Sequence, residues 1–152
     1  PKFSSEVKGS FLWSKQISRN DFFAAQPPPE VSYGLTYEPG ISWLTDGQLK
    51  VALDYTFEHF QHPRTITVED FLFSFQQDID RFANDARDFD LQDPPEGFFL
   101  AHLQWSSRWK KLQYRFEVRN LFDASYRNYT DRLRYFADDL GRNFLLTITI
   151  NI

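Results

Sequence analysis

The sequence predicts an all-β fold, an antiparallel transmembrane β-barrel segment of about six strands. Residues 143–152 alternate apolar and polar side chains as far as the last residue, and this period of two is typical of a strand with one apolar face. Six such segments run for about 10–14 residues each, whereas soluble strands usually have roughly 5–6. A tilted strand needs roughly 9–11 residues to cross a bilayer. Short and long connections also alternate along the chain, as they do between the rims of a membrane barrel.

The first two strands are predicted over residues 2–15 and 31–44. Pro39 and Gly40 interrupt the second strand and indicate a bulge or kink there. The apolar face of the first strand contains Phe3, Val7, Phe11 and Trp13. The apolar face of the second contains Val31, Tyr33, Leu35, Tyr37, Ile41 and Trp43.

The other four strands are predicted over residues 48–60, 98–107, 111–122 and 143–152. The apolar faces of the first three contain Leu49, Val51, Leu53, Tyr55, Phe57, Phe99, Ala101, Leu103, Trp105, Leu112, Tyr114, Phe116 and Val118. The apolar face of the last contains Phe144, Leu146, Ile148, Ile150 and Ile152.

The opposite faces carry polar side chains and full charges in mid-strand. In a barrel these side chains face the lumen, and in a small soluble sandwich they would form the exterior. The lumen-facing candidates are Lys50, Asp54, Glu58, His102, Gln104, Arg115, Glu117 and Arg119.

The connections are predicted to be of two kinds. Residues 44–47 place Asp46-Gly47 in the two-residue hairpin position, and residues 106–110 form a second short connection. Three long connections cover about residues 16–30, 61–97 and 123–142. In a membrane barrel the short turns and the C-terminus would be periplasmic and the long loops extracellular. Two aromatic groups are expected near the strand ends, Trp13, Phe57, Phe99 and Phe144 at one rim and Phe3, Trp43, Trp105 and Trp109 at the other.

The composition narrows the class of protein. The 152 residues would ordinarily form one domain, and no run approaches the roughly 20 apolar residues of a membrane helix. Mean hydropathy is −0.52, which does not exclude a barrel, because its strands alternate. Cysteine is absent, so no disulfide or cysteine-ligated metal is available. The net charge of −4 argues against nucleic acid as a partner.

The last third of the chain carries a set of motifs that resembles a known family. They are Asn120-Leu121-Phe122-Asp123, Tyr126-Arg127-Asn128-Tyr129, Gly141-Arg142-Asn143 and the alternating terminal strand. Together they resemble the C-terminal end of TonB-dependent outer-membrane receptors. Residues 94–99 and 126–143 are similar to the version in Bacteroidetes-type bacteria. Members of this family usually end in an aromatic residue of the assembly signal, and this chain ends in Ile152.

The resemblance implies a barrel of roughly 22 strands closed by an N-terminal plug. Residues 1–152 would be the C-terminal part of that barrel, with the plug and the earlier strands absent. The implied function is active import of a scarce ligand, with a ferric siderophore or haem preferred, driven by TonB through plug movement. The implied partners are outer-membrane lipid, the rest of the barrel and plug, the TonB complex and a surface lipoprotein.

For several single residues, a structural role is expected rather than a functional one. Asn120 is expected to end a strand through local backbone bonds, and Gly141 to supply a backbone conformation closed to other residues. Arg142 is expected to pair with Asp138 or Asp139. His59 and His62 are interpreted as a solvated strand end rather than a metal or haem contact.

The chain is predicted not to be an enzyme. It shows no nucleophile with a base, no paired catalytic carboxylates and no glycine-rich phosphate cradle, and we predict neither a cofactor nor a bound metal. Two alternatives to the receptor are kept. One is a soluble β-sandwich binding module, and the other is an outer-membrane channel or adhesin without a plug.

Overall fold

The computed structural model describes residues 1–17, 21–23, 26–41, 45–65, 69, 72–73, 89–90 and 92–150. These residues contain ten strands and a 3-10 helix, Arg132–Tyr135. The six long strands are β1 (Lys2–Ser10), β4 (Glu30–Glu38), β5 (Thr45–Thr56), β8 (Phe98–Trp109), β9 (Leu112–Arg119) and β10 (Asn143–Ile150). The four short strands are β2 (Lys15–Gln16), β3 (Asp21–Phe22), β6 (Arg64–Thr65) and β7 (Phe89–Asp90).

The six long strands form one antiparallel sheet in the order β1-β4-β5-β8-β9-β10. The prediction of an all-β fold with six antiparallel strands is therefore confirmed, and such a sheet is compatible with a segment of a barrel. The short strands pair within the long connections, β2 with β3 antiparallel and β6 with β7 parallel. Within the described residues, no helix is both long enough and apolar enough to span a membrane.

The strand register gathers the apolar side chains on one face of the sheet. A row across five strands shows this: Leu35 pairs with Val51, Val51 with Leu103, Leu103 with Val118 and Val118 with Phe144. Strand side chains alternate between the two faces of a sheet. The residues two positions away from this row, along each strand, therefore point to the same face as the row itself. The assignment of apolar faces from sequence is confirmed for the described strands.

In the described part of the chain, no second layer covers the apolar face. Val7 is 70% exposed, Leu146 67% and Ile148 61%. Only Ala101, Val118 and Tyr129 are buried hydrophobic residues among those described. A sheet with one apolar face ordinarily buries that face against another layer. This sheet leaves it open.

The strand ends differ from the prediction in two ways. The long strands contain 8 to 12 residues, so they are shorter than expected but longer than typical soluble strands. The kink predicted at Pro39-Gly40 is the end of β4, where Gly40 has a φ of +66°. The predicted strand residues 42–44 and 151–152, which include Trp43 and Ile152, lie outside the described residues.

The predicted Asp46-Gly47 hairpin turn is wrong. Both residues belong to β5, and the register shifts between Thr45, which pairs with Arg108, and Gln48, which pairs with Ser106. Asp46 and Gly47 therefore oppose the single residue between those partners, which is a β-bulge. Asp46 has a φ of +56°, and this left-handed conformation, which Asp tolerates, serves the bulge instead of a turn.

The connection between β8 and β9 is tighter than predicted. Residues 106–109 belong to β8, and Trp109 pairs with Leu112 across a turn of Lys110 and Lys111. Connections on the other side of the sheet are long, so the predicted alternation of short and long connections is confirmed.

Candidate functional site

The polar face of the central strands forms the candidate site. Lys50 pairs with Gln104 in the strand register, and Gln104 pairs with Glu117, so three of the predicted lumen candidates form one row. A shallow depression of about 410 Å³ lies on this face. It is lined by Lys50, Ala52, His102, Gln104, Glu117 and Arg119.

His102 links two strands and the end of a third. Its Nε2 lies 3.0 Å from Oδ2 of Asp54 on β5, and the backbone N–H of Asn120 donates to its Nδ1 over 3.3 Å. Because Nδ1 accepts a hydrogen bond, the proton of the neutral ring is on Nε2 and is donated to Asp54. The side chain is held in place from both nitrogens, which fixes its orientation on the polar face of the sheet.

The remaining candidates are placed less tightly. Arg119 donates from Nε to Glu117 over 2.5 Å along the same strand face. Arg115 lies on that face too, in register with Ser106 of β8, and is exposed. Glu58 lies two residues beyond the end of β5 and is exposed, so the structure does not bring it to the depression.

The predicted strand-ending role of Asn120 has a clear geometry in the structure. Asn120 has a φ of +50°, and its side-chain amide both donates to the carbonyl oxygen of Ala124 at 2.8 Å and accepts from the N–H of Ala124 at 2.9 Å. The N–H of Leu121 donates to the carbonyl oxygen of Ala101 at 2.7 Å. Phe122 is exposed, with its ring 6.5 Å from that of Phe99. The motif closes β9 and turns the chain into the connection.

Gly141 leaves room for the carboxylate of Asp123, and its backbone conformation is not one reserved for glycine. A Cβ atom there would lie 2.6 Å from Oδ1 of Asp123, closer than real Cβ contacts. The same oxygen accepts the N–H of Arg142 over 2.7 Å, and Asp123 itself has a φ of +58°. Asp123 therefore holds the two ends of the β9–β10 connection together, a role that the sequence reasoning missed although the residue follows the Asn-Leu-Phe motif.

The predicted pairing of Arg142 with Asp138 or Asp139 is wrong. Asp138 accepts hydrogen bonds from the Ser125 hydroxyl and from Nε of Arg127, the latter at 2.5 Å. These two bonds hold the pKa of Asp138 below its usual value. The carboxylate of Asp139 accepts the backbone N–H of Asn128 at 2.9 Å. Both acids stabilise the connection internally.

Two tyrosines of the motif pack inward. The ring of Tyr126 lies 4.6 Å from that of Phe98, and burial followed by the charge of Asp139 raises the pKa of Tyr126. Tyr129 is 4% exposed and packs against Arg134, whose guanidinium lies 4.7 Å from the ring centre. Asn143 begins β10 in register with Arg119. The structure thus places the 120–143 motif residues in one hydrogen-bonded connection at the long-connection edge of the sheet.

The interpretation of His59 as a solvated strand end is wrong. His59 is 3% exposed and its ring lies 4.5 Å from that of Tyr129. Burial, and then the nearby charge that His62 can carry, lower the pKa of His59. Sequence alone offered no signal of this burial, because it depends on a contact 70 positions away in the chain.

In the described residues, no group of three or more His, Cys, Asp or Glu side chains is arranged to hold a metal ion. Most of the acidic segment between residues 66 and 88 lies outside that description.

Comparison with solved structures finds a shared fold. Eighteen solved chains match, among them one titled "Copper transporter OprC". The match to this transporter has a TM-score of 0.70 at 18% sequence identity, and it covers 96% of this chain. It covers 20% of the transporter, so this chain spans about a fifth of that protein's length. No family model matches the chain, and no curated protein does.

Proposed function

We propose that this chain forms the C-terminal wall of an outer-membrane receptor that imports a scarce nutrient by TonB-driven movement of a plug. One observation carries the proposal: a single register places the apolar side chains of six strands on one face, which no other described residues cover, and the charged side chains on the other. Lipid on one side and a polar lumen on the other are the environment in which such a sheet is stable. The shared fold with a transporter over nearly the whole chain supports it.

The proposed orientation follows from the connections. The short β8–β9 turn and the C-terminal end of β10 lie at one edge, which we assign to the periplasm, and the long connections lie at the extracellular edge. The open edges of β1 and β10 would pair with the rest of the barrel, since unpaired strand edges are not tolerated in lipid. The polar depression would face the plug. TonB would act through an N-terminal part beyond this chain, and a surface lipoprotein is a further proposed partner.

For the cargo we propose a scarce metal-containing nutrient. This class includes the ferric siderophore or haem expected from the family resemblance, and the copper named for the solved transporter. This chain contains no cysteine or methionine, the residues that favour Cu(I). Tight selection of Cu(I) would therefore need residues outside this segment. The assignment to a Bacteroidetes-type receptor stays a prediction.

The test first identifies the whole protein and then measures the uptake of nutrients. The outer-membrane protein that carries this sequence is extracted, and its intact mass and N-terminal sequence are measured. The proposal predicts a chain several times longer with a plug ahead of Pro1. Cells with and without the gene, and with and without TonB, are then compared for uptake of ferric siderophores, haem and copper. Uptake of one of these that needs both genes supports the proposal, whereas uptake that needs only the receptor gene favours a plug-less channel.

A soluble β-sandwich is the competing proposal. It requires a second layer that covers the apolar face, and it predicts a water-soluble monomer of about this size. Recovery of the native protein from the aqueous fraction without detergent, at about 18.1 kDa, would overturn the receptor proposal.

A further inference from the structure

The segment between β5 and β6 carries two of the chain's three histidines. His59, Gln61 and Pro63 are buried there, and His62 is half-buried. The segment lies at the long-connection edge of the sheet, where Tyr129 from the β9–β10 connection packs on His59. A polar cluster of this kind, closed over by a second connection, is not explained by the packing of the sheet.

The hydrogen bond of His62 shows which of its two ring nitrogens can bind a ligand. Its Nδ1 lies 2.8 Å from the carbonyl oxygen of Pro63. A carbonyl oxygen can only accept, so Nδ1 carries the proton and Nε2 holds the free lone pair. Histidines that ligate metals are commonly oriented by such a bond from the other ring nitrogen to a backbone carbonyl.

The polar atoms beside it lack hydrogen-bond partners. Neither ring nitrogen of His59 makes a well-formed hydrogen bond in the described part of the chain, although the backbone of Gln61 lies near enough to act on the ring. The amide oxygen and nitrogen of Gln61 have no partner there. His59 is 3% exposed and Gln61 1%. Buried polar atoms in native proteins are nearly always satisfied, and an exception calls for a water, an ion or a functional role.

We propose that His59 and His62 bind a divalent transition-metal ion of the copper, nickel and zinc type, with the amide oxygen of Gln61 as a third donor. Imidazole suits these ions, and the cluster contains no thiolate, thioether or carboxylate that would favour another class. Three donors leave at least one coordination position open, so the ion would retain ligands of its own. The binding claim stands on the cluster alone. That this site contacts the cargo at the extracellular edge rests on the proposed function.

The test is metal binding by the full-length receptor in detergent. Cu²⁺ is titrated into the metal-free protein, and the electron paramagnetic resonance spectrum is recorded for wild type, His59→Gln, His62→Gln and His102→Gln. The His102 variant is the matched control, because it removes the one imidazole of these 152 residues that lies outside the cluster, and that ring is held by Asp54 and Asn120. The wild type is expected to show one tight site whose spectrum is split by two imidazole nitrogens.

Each cluster variant is expected to lose about 100-fold in Cu²⁺ affinity and one nitrogen from the spectrum, and the control to retain both. Since His62 is half-buried and, among the described residues, bonds only to the backbone of Pro63, His62→Gln keeps the inference testable if His59→Gln fails to fold. Wild-type affinity in both cluster variants, or an equal loss in the control, would overturn the inference. Nutrient uptake is measured separately. Uptake by a wild-type protein that binds no Cu²⁺ overturns the metal site and leaves the proposed function standing, whereas variants that lose Cu²⁺ binding and keep uptake overturn the role of the site as a cargo contact.

Discussion

Arginine at two neighbouring positions of β8 should have opposite consequences. Leu103 lies between Val51 and Val118 on the apolar face, and Gln104 lies between Lys50 and Glu117 on the polar face. An arginine that faces lipid at the middle of the bilayer costs about 2–4 kcal/mol, whereas a substitution on the lumen side changes stability little. Since every 1.4 kcal/mol is about tenfold, Leu103→Arg should lower the folding equilibrium constant by roughly 30-fold to 1000-fold.

The assay is denaturant unfolding of the full-length protein folded into lipid vesicles, with Leu103→Arg and Gln104→Arg compared with wild type. Leu103→Arg should lower the denaturant midpoint clearly, with an unchanged slope. Gln104→Arg should remain close to wild type, because Glu117 is its register partner and the depression provides room. Equal midpoints for the two variants, or a larger loss in Gln104→Arg, would refute the assignment of the faces.

Three further predictions concern the β9–β10 connection. Gly141→Ala should cost about 1–3 kcal/mol in the unfolding free energy, because its Cβ would collide with Asp123. Asn120→Ala should cost about 1–3 kcal/mol in the same measurement, because the side-chain hydrogen bonds to Ala124 are lost and alanine disfavours a φ of +50°. Asn120→Gly should cost less, because glycine accepts that φ. The pKa of Asp138 is lowered, so its stabilisation is present above its unfolded-state pKa and is lost as pH falls through the lower folded-state pKa. Protection of the connection's amides from hydrogen exchange, relative to the intrinsic exchange rate at each pH, should therefore fall below about pH 4, and Asp138→Asn, which cannot be charged toward Arg127, should remove that loss of protection.

The period of the apolar residues predicted the fold class well. In strands such as β5, the residues Leu49, Val51 and Leu53 alternate with Lys50, Ala52 and Asp54, and this pattern alone determines which side chains share a face. This assignment of faces required no knowledge of the neighbouring strands. The strands then pair with their apolar faces on the same side, since a register slip by one residue would move every apolar side chain to the other face. The faces were therefore predictable from the sequence.

The turns and the contacts within the connections were less predictable. Asp46-Gly47 accepts a left-handed backbone both in a hairpin turn and in a bulge, and only the pairing with β8 distinguishes them. The burial of His59 depends on Tyr129, which is distant in sequence. Asp138 has Ser125, Arg127 and other polar residues within reach, so sequence could not select its partner.

The most direct test of the barrel wall uses spin labels at two adjacent positions. The chain has no native cysteine, so Leu103→Cys and Gln104→Cys place a single label in this segment of the full-length receptor, with any cysteines elsewhere replaced. Collision with oxygen, which concentrates in lipid, is compared with collision with a water-soluble nickel chelate. A label at position 103 that meets oxygen and not the chelate, beside a label at position 104 that is shielded from lipid, is the predicted result. A label at position 103 that the chelate reaches as readily as oxygen would contradict the proposal that this sheet is the wall of an outer-membrane barrel.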